Sequence, residues 1–399
     1  MALSFFDKEV GGVNKLWVSN GTVAGTHVVG SLGSGAIASD LTIGSQVFLS
    51  VSDSANGSEL WKSDGTAAGT VMVKAINPSG NSDMSDLTNI DGTLYFAAND
   101  QLNGQQLWKS DGTAAGTMMV KDLDTGNTAG SEPSDLTNVN GTLYFDAGAG
   151  LEIGGELFKS DGTSAGTVLV KNIFPGAESS NPTDLTNVDG TLYFEADDGL
   201  DGDGLWKSNG SAAGTLMVKD IDPGSNSSNP ADLTNVGGTL YFVANDGTHG
   251  AELWKSDGTA AGTVMVPGLG GPPIDLAAAN GAAEFYAFDG NSFGLFRSDG
   301  TAAGTIELAT DIQDTIPLGV AETPGGDFNG DSFSDILWQN ANGQAAVWDM
   351  NGNRLTGGGT VSPTPGLLGK RSERAISTAT VIPTRFFKTP AAAKSRSGR

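Results

Sequence analysis

Glu59-Leu60-Trp61-Lys62-Ser63-Asp64-Gly65-Thr66-Ala67-Ala68-Gly69-Thr70 is one of seven near-copies of a single phrase in a chain of 399 residues. Its aromatic position recurs as Trp17, Trp61, Trp108, Phe158, Trp206, Trp254 and Phe296, at spacings of 44, 47, 50, 48, 48 and 42 residues. A period near 48 marks a repeat array.

Each period holds four short apolar runs. In one of them these are Asp135–Val139, Gly141–Phe145, Glu156–Phe158 and Thr167–Lys171. The runs are rich in β-branched and aromatic residues and are bounded by Asn-Gly, Asp-Gly and Pro-Gly, the pattern of strands joined by hairpins. A four-stranded antiparallel unit cannot bury both faces alone, so neighbours must stack, and the fold expected is an all-β propeller. Ring closure removes exposed sheet edges. Six inner-strand phrases carry Asp40, Asp86, Asp135, Asp184, Asp232 and Asp275 before a Leu, against seven aromatic phrases. The chain opens in a second strand, Leu3–Phe6, so the first blade lacks an inner strand that Thr315–Leu318 could supply. Seven blades is the expectation; six, or an open array, stay possible because Pro317 suits a paired strand poorly. The expected division is a propeller over 1–322, a partial repeat over 323–368 and a disordered basic tail over 369–399.

The 59 glycines fall at fixed offsets in the repeat, as in Gly65 and Gly69 or Gly112 and Gly116, which ties them to turns. With no Cys and two His, disulfides, thiolate metal sites and imidazole catalysis lack material. The formal net charge is -25. Residues 370–399 hold eight of the 21 basic residues and one of the 46 acidic ones, so the rest carries 13 against 45, or -32. Such a body disfavours nucleic acid and anionic membrane surfaces. No apolar run suggests membrane insertion, and the N-terminus does not read as a signal peptide.

The turns between first and second strands, such as Asn89-Ile90-Asp91-Gly92 and Asn187-Val188-Asp189-Gly190, and the Ser-Asp-Gly-Thr turns, nearly invariant among the copies, fall on one rim. Inter-blade linkers and the loops between second and third strands fall on the other; they vary and are rich in Asp, Asn, Ser and Gly, the usual setting for binding. The repeated Asp64, Asp111, Asp161, Asp257 and Asp299 read as turn-forming residues. The Trp and Phe of the phrase read as core between sheets.

Beyond the seventh phrase, Asp327, Asn329, Asp331 and Asp335 occupy positions 1, 3, 5 and 9 of a loop leading into a strand, with the Phe333 carbonyl at position 7. Alternating hard oxygen donors of this kind suit Ca²⁺. Ser332 stands where Gly is usual and Trp338 where an EF-hand has Glu. Calorimetric titration of Ca²⁺ should give weak saturable binding, with Kd about 10⁻⁴ to 10⁻³ M, abolished by Asp327→Ala with Asp331→Ala. The tail after 369 reads as an out-of-frame version of the next such repeat; gene sequencing would settle it.

The phrases LWKSDGTAAGTVMVK and VKDIDPGSNSSNPADLTNVGGTLYFVANDGTHGAELWKSDGTAAGT resemble the bacterial ELWxxDGT repeat family, sometimes grouped with hyalin-like repeats. DFNGDSFSDILWQNANGQAAVWDMN, from Asp327, resembles an FG-GAP/VCBS-type repeat. The resemblance implies secreted or surface-attached bacterial proteins with calcium loops and roles in adhesion. The expected function is therefore a monomeric, non-catalytic extracellular or cell-surface scaffold engaging a glycan or surface protein, with no enzyme activity. The alternative is a propeller-type glycoside hydrolase or lyase, with the irregular seventh blade contributing Glu284 and Asp289.

Overall fold

The computed structural model describes residues 4–33, 36–53, 57–125, 129–150, 153–288 and 292–310, and the strands Ile336–Gln339, Ala345–Asn351 and Arg354–Thr360. It is a β-propeller of seven blades. The first has three antiparallel strands, Ser4–Val10, Val13–Ser19 and His27–Gly33, and each of the next six has four, in chain order from the axis outwards. In the fourth blade these are Ser134–Val139, Thr142–Ala147, Glu156–Ser160 and Val168–Lys171. The first blade thus begins in its second strand, as its sequence requires. The Thr315–Leu318 segment lies outside the described residues. Glu284, Tyr286 and Leu295, on the face of the seventh blade turned away from the sixth, are nevertheless 7%, 6% and 2% exposed. That face is covered.

Apolar side chains fill the wedges between blades. Tyr144, Leu157 and Val170 of the fourth blade meet Leu192, Phe194 and Trp206 of the fifth. The same arrangement recurs one blade on, with Tyr193, Leu205 and Val218 against Leu240, Phe242 and Trp254. Each fully buried Leu or Phe contributes about 1.5–3 kcal/mol relative to exposure. From the third blade to the seventh the phrase's Trp and Phe are therefore core, Trp17 and Trp61 being partly buried, and outer-strand lysines of the preceding blade lie over three of these rings: Lys74 on Trp108, Lys171 on Trp206 and Lys219 on Trp254.

Polar stitches repeat with the same period. Lys62, Lys109, Lys159 and Lys207 donate to the carbonyls of Gly112, Gly162, Gly210 and Gly258, each in the next blade's turn. Lys74, Lys121, Lys171 and Lys219 donate to the next blade's Thr117, Thr167, Thr215 and Thr263 carbonyls. Near the axis, Thr137 Oγ1 donates to Leu185 O, and Thr186 Oγ1 to Leu233 O. The near-invariance of these residues is thereby explained by blade-to-blade geometry.

Each Ser-Asp-Gly-Thr turn closes on itself. Asp161 Oδ1 accepts from the Thr163 N–H and hydroxyl, and Gly166 N–H donates to Thr163 Oγ1. A Cβ on Gly166 would lie 2.0 Å from Asp161 Oδ1. Gly166→Ala should lower stability by about 1–3 kcal/mol, read as a reduced denaturant midpoint at unchanged slope.

The strands Ile336–Gln339, Ala345–Asn351 and Arg354–Thr360 form a separate three-stranded antiparallel sheet.

Candidate functional site

The two rims are built differently. On the turn rim, the phrase Asp carboxylates are engaged by Thr residues two positions on, and these hydrogen bonds hold Asp64, Asp111, Asp161, Asp257 and Asp299 below their ordinary pKa. Their role is to shape turns. On the other rim, linkers return to the loops between second and third strands: Ser82 N–H donates to Ser58 O, Gln105 N–H to Ala129 O, Asn181 N–H to Gly155 O and Ser228 N–H to Asp203 O.

A buried carboxylate anchors this junction. Glu156, 0% exposed, accepts from the Ile173 and Phe174 N–H groups and from Ser180 Oγ at 2.8, 3.1 and 2.6 Å. Glu59 does the same for Ile76 and Asn77, and Gln106 accepts from Leu123 N–H and Ser131 Oγ. In the second, third and fourth blades the first letter of the repeated phrase thus holds the linker to the next blade.

One interior position breaks the repetition. In blades three to seven the second strand reads Phe-x-Ala, with a buried Phe (Phe96, Phe145, Phe194, Phe242, Phe285) and a buried Ala (Ala98, Ala147, Ala196, Ala244, Ala287) in every copy. The residue between them is Ala97, Asp146, Glu195, Val243 and Tyr286, different in each blade. Each faces the first residue of its inner strand, Ser85, Ser134, Thr183, Ala231 or Ile274, where the ladder then slips. The inner-strand Asp follows immediately. Asp86, Asp135, Asp184, Asp232 and Asp275 all have φ near +55, at 55°, 54°, 54°, 55° and 54°, a left-handed conformation Asp tolerates better than most side chains. Asp232 N–H donates to Asp184 Oδ2 of the preceding blade at 3.1 Å.

This pairing sets the electrostatics. Burial, then the charges of Asp135 and Glu156, push Asp146 up to about 7. Burial raises Glu195 to about 7 as well, against the Thr183 Oγ1 hydrogen bond at 2.9 Å and with Asp203 and Asp184 adding to the rise. Tyr286 is pushed up to about 12 by burial, Asp275 and Glu284. Asp146 Oδ1 is shut off from solvent without a hydrogen-bond partner among the described residues. The fourth and fifth blades therefore each set a carboxyl that keeps its proton near neutrality beside the inner-strand Asp of its own blade.

Of the residues singled out from sequence, Glu284 is buried, its pKa raised by burial and lowered in part by Arg297. Asp289 lies outside the described residues, as do Asp327, Asn329, Asp331, Phe333 and Asp335. Among the described residues no group of three His, Cys, Asp or Glu is arranged to hold a metal ion. The two histidines stand apart: His27 Nε2 meets Gly65 O, and His249 Nδ1 pairs with Asp246 at 2.8 Å on the linker rim. Asp146 and Glu195 escaped the sequence reading, although a lone varying letter inside an invariant Phe-x-Ala could have drawn attention to them.

No family model matches the chain, and no curated protein does. Solved structures similar to it include a puromycin hydrolase S511A mutant (14% identity, TM-score 0.45, 86% of this chain and 56% of that one). A prolyl endopeptidase is similar at 10% identity and TM-score 0.45, over 87% of this chain and 55% of that one. The propeller domain of the Trilobed protease from Pyrococcus furiosus is similar at 9% identity and TM-score 0.44, over 78% and 95%. The chain spans little more than half the length of the two hydrolytic enzymes. The expected non-catalytic adhesion scaffold is corrected here. The similar structures are described as hydrolytic enzymes and a protease propeller.

Proposed function

We propose that this chain is a propeller-type glycoside hydrolase whose working carboxyls are those of the fourth and fifth blades. The observation carrying this reading is the Phe-x-Ala position, where an otherwise uniform interior gives way to a carboxyl, raised in pKa mainly by burial, beside an inner-strand Asp. Asp146 delivers its proton to the departing glycosidic oxygen as the bond to the sugar's anomeric carbon breaks. Asp135 takes a proton from the water whose oxygen bonds that carbon, and exchange with solvent resets the pair. This is the two-carboxylate division of labour of glycoside hydrolysis. Hydrolysis is favoured over elimination, because elimination next to a uronate carboxylate calls for a nearby cation, and Asp146 has only carboxylates among its charged neighbours.

The test is reducing-end release from a panel of neutral and charged oligosaccharides. Asp146→Asn and Glu195→Gln should each cut turnover, the more important one by about 10²–10⁴-fold, while Asp91→Asn on the turn rim should leave it unchanged. Turnover of none of the panel, or a rate indifferent to both carboxyl variants, would overturn the proposal.

A further inference from the structure

The linker rim breaks its own pattern in the seventh blade. In blades three to six the residue at the rim end of the second strand is Asn99, Gly148, Asp197 or Asn245, and its N–H donates to the carbonyl of a buried linker serine, Ser82, Ser131, Ser180 or Ser228. Each serine stands four residues before the inner-strand Asp of its blade. In the seventh blade Gly271 takes the serine's place and Phe288 that of the strand end. The residue across the hairpin changes with it: the pairs Asn99–Gln105, Asp197–Asp203 and Asn245–Ala251 give way to Phe288–Phe293.

Both rings meet water. Phe288 is 36% and Phe293 42% exposed, and among the described residues no other aromatic side chain is exposed. Their centroids lie 5.8 Å apart with the planes tilted by 58°, which makes a shallow notch rather than a closed stack. Packing does not call for them, since the wedge against the sixth blade is filled by Ala283, Phe285, Ala287 and Phe296. The linker beside them, 267–273, is shorter than 75–84, 122–133, 172–182 and 220–230 and includes Gly268, Gly270 and Gly271. A Cβ on Gly271 would lie 3.4 Å from Phe288 Cβ, so the bare backbone there leaves the ring uncovered. That linker has no ionisable residue, whereas the other four carry Asp83, Asp122, Glu178 and Asp220.

Taking the ligand class from the hydrolase reading, we infer that Phe288 and Phe293 form a stacking platform for a neutral oligosaccharide of gluco-configured pyranoses. Such a sugar carries its hydroxyls around the equator and C–H bonds on its two faces. A face laid on an aromatic ring buries apolar surface while the hydroxyls stay in water. Size speaks against a protein partner: the two side chains leave roughly 150 Å² in water, against roughly 800 Å² per partner in a standard protein interface. Charge selects among glycans, because an uncharged notch on an acidic body offers a polyuronate repulsion and no cation. Phe288 lies two residues beyond Tyr286, the seventh blade's counterpart of Asp146 and Glu195, so platform and carboxyls share one end of the propeller.

The experiment titrates cellohexaose and a galacturonate hexamer into the full chain by calorimetry, with sedimentation and thermal melting of every variant in parallel. Cellohexaose should bind the more tightly of the two. Phe293→Ala should weaken it by about tenfold, and Phe293→Leu, which keeps an apolar side chain but no flat ring, should weaken it nearly as much. Phe293→Trp should preserve or tighten binding, which separates loss of the platform from loss of the fold. No cellohexaose binding, an affinity indifferent to Phe293→Ala, or full affinity in Phe293→Leu overturns the inference. A dimer that dissociates on Phe293→Ala overturns it too, by giving the pair to a second copy of the chain. Phe293-dependent binding without cleavage upholds the platform and overturns the hydrolase reading; cleavage with an affinity indifferent to Phe293 does the reverse.

Discussion

Glu156→Ala should be the most destabilising single change in the fourth blade, costing about 3–5 kcal/mol. Its carboxylate is wholly buried and accepts from Ile173 N–H, Phe174 N–H and Ser180 Oγ. Truncation strands three donors at the point where the chain passes to the fifth blade and leaves a cavity. Glu156→Gln keeps the shape and most acceptor capacity, so it should cost much less, in keeping with Gln106 at the equivalent place in the third blade. Chemical denaturation of the two variants checks this. A loss from alanine no larger than that of an average surface substitution would show that the linker is held by other means.

A second large effect is expected in the pH dependence of stability. Asp146 rises from an ordinary 3.8 to about 7 on folding, so the native state binds a proton more tightly than the unfolded chain does. Its contribution is fully present below about pH 4, is lost progressively as pH rises to about 7, and stays lost above that. A shift of this size corresponds to roughly 4–4.5 kcal/mol. Glu195 behaves alike over a slightly narrower window, from 4.5 to about 7. The turn-rim aspartates, whose pKa values are lowered, work in the opposite direction, which is why wild type must be compared with a variant. Asp146→Asn should match wild type near pH 4 and exceed it by a few kcal/mol at pH 8, seen in parallel melts at both values. Identical pH profiles for the two proteins would mean that Asp146 ionises in the folded state as it does in water.

The repeat made much of the architecture legible. A fixed period, four apolar runs and Asn-Gly or Asp-Gly between them leave few alternatives to stacked four-stranded sheets, and the missing inner strand of the first blade could be read from Leu3–Phe6 alone. The turn role of Asp161 was equally readable, since Thr163 and Gly166 stand at the offsets its carboxylate needs. The site was harder. Asp146 and Glu195 sit in strands whose flanking Phe and Ala say core, and burial beside an inner-strand Asp, which alters their chemistry, depends on register. The ladder slip that places Asp135 next to Asp146 is not visible in composition or period. Attention to loops, where binding often lies, also led away from the strand interiors and towards adhesion.

Carbon-13 NMR titration of the side-chain carboxyls, assigned through Asp146→Asn and Glu195→Gln, probes the proposed acid most directly. Both carboxyls should titrate near pH 7 in the folded protein. Midpoints near 4 would remove the proton donor, and the hydrolytic reading with it.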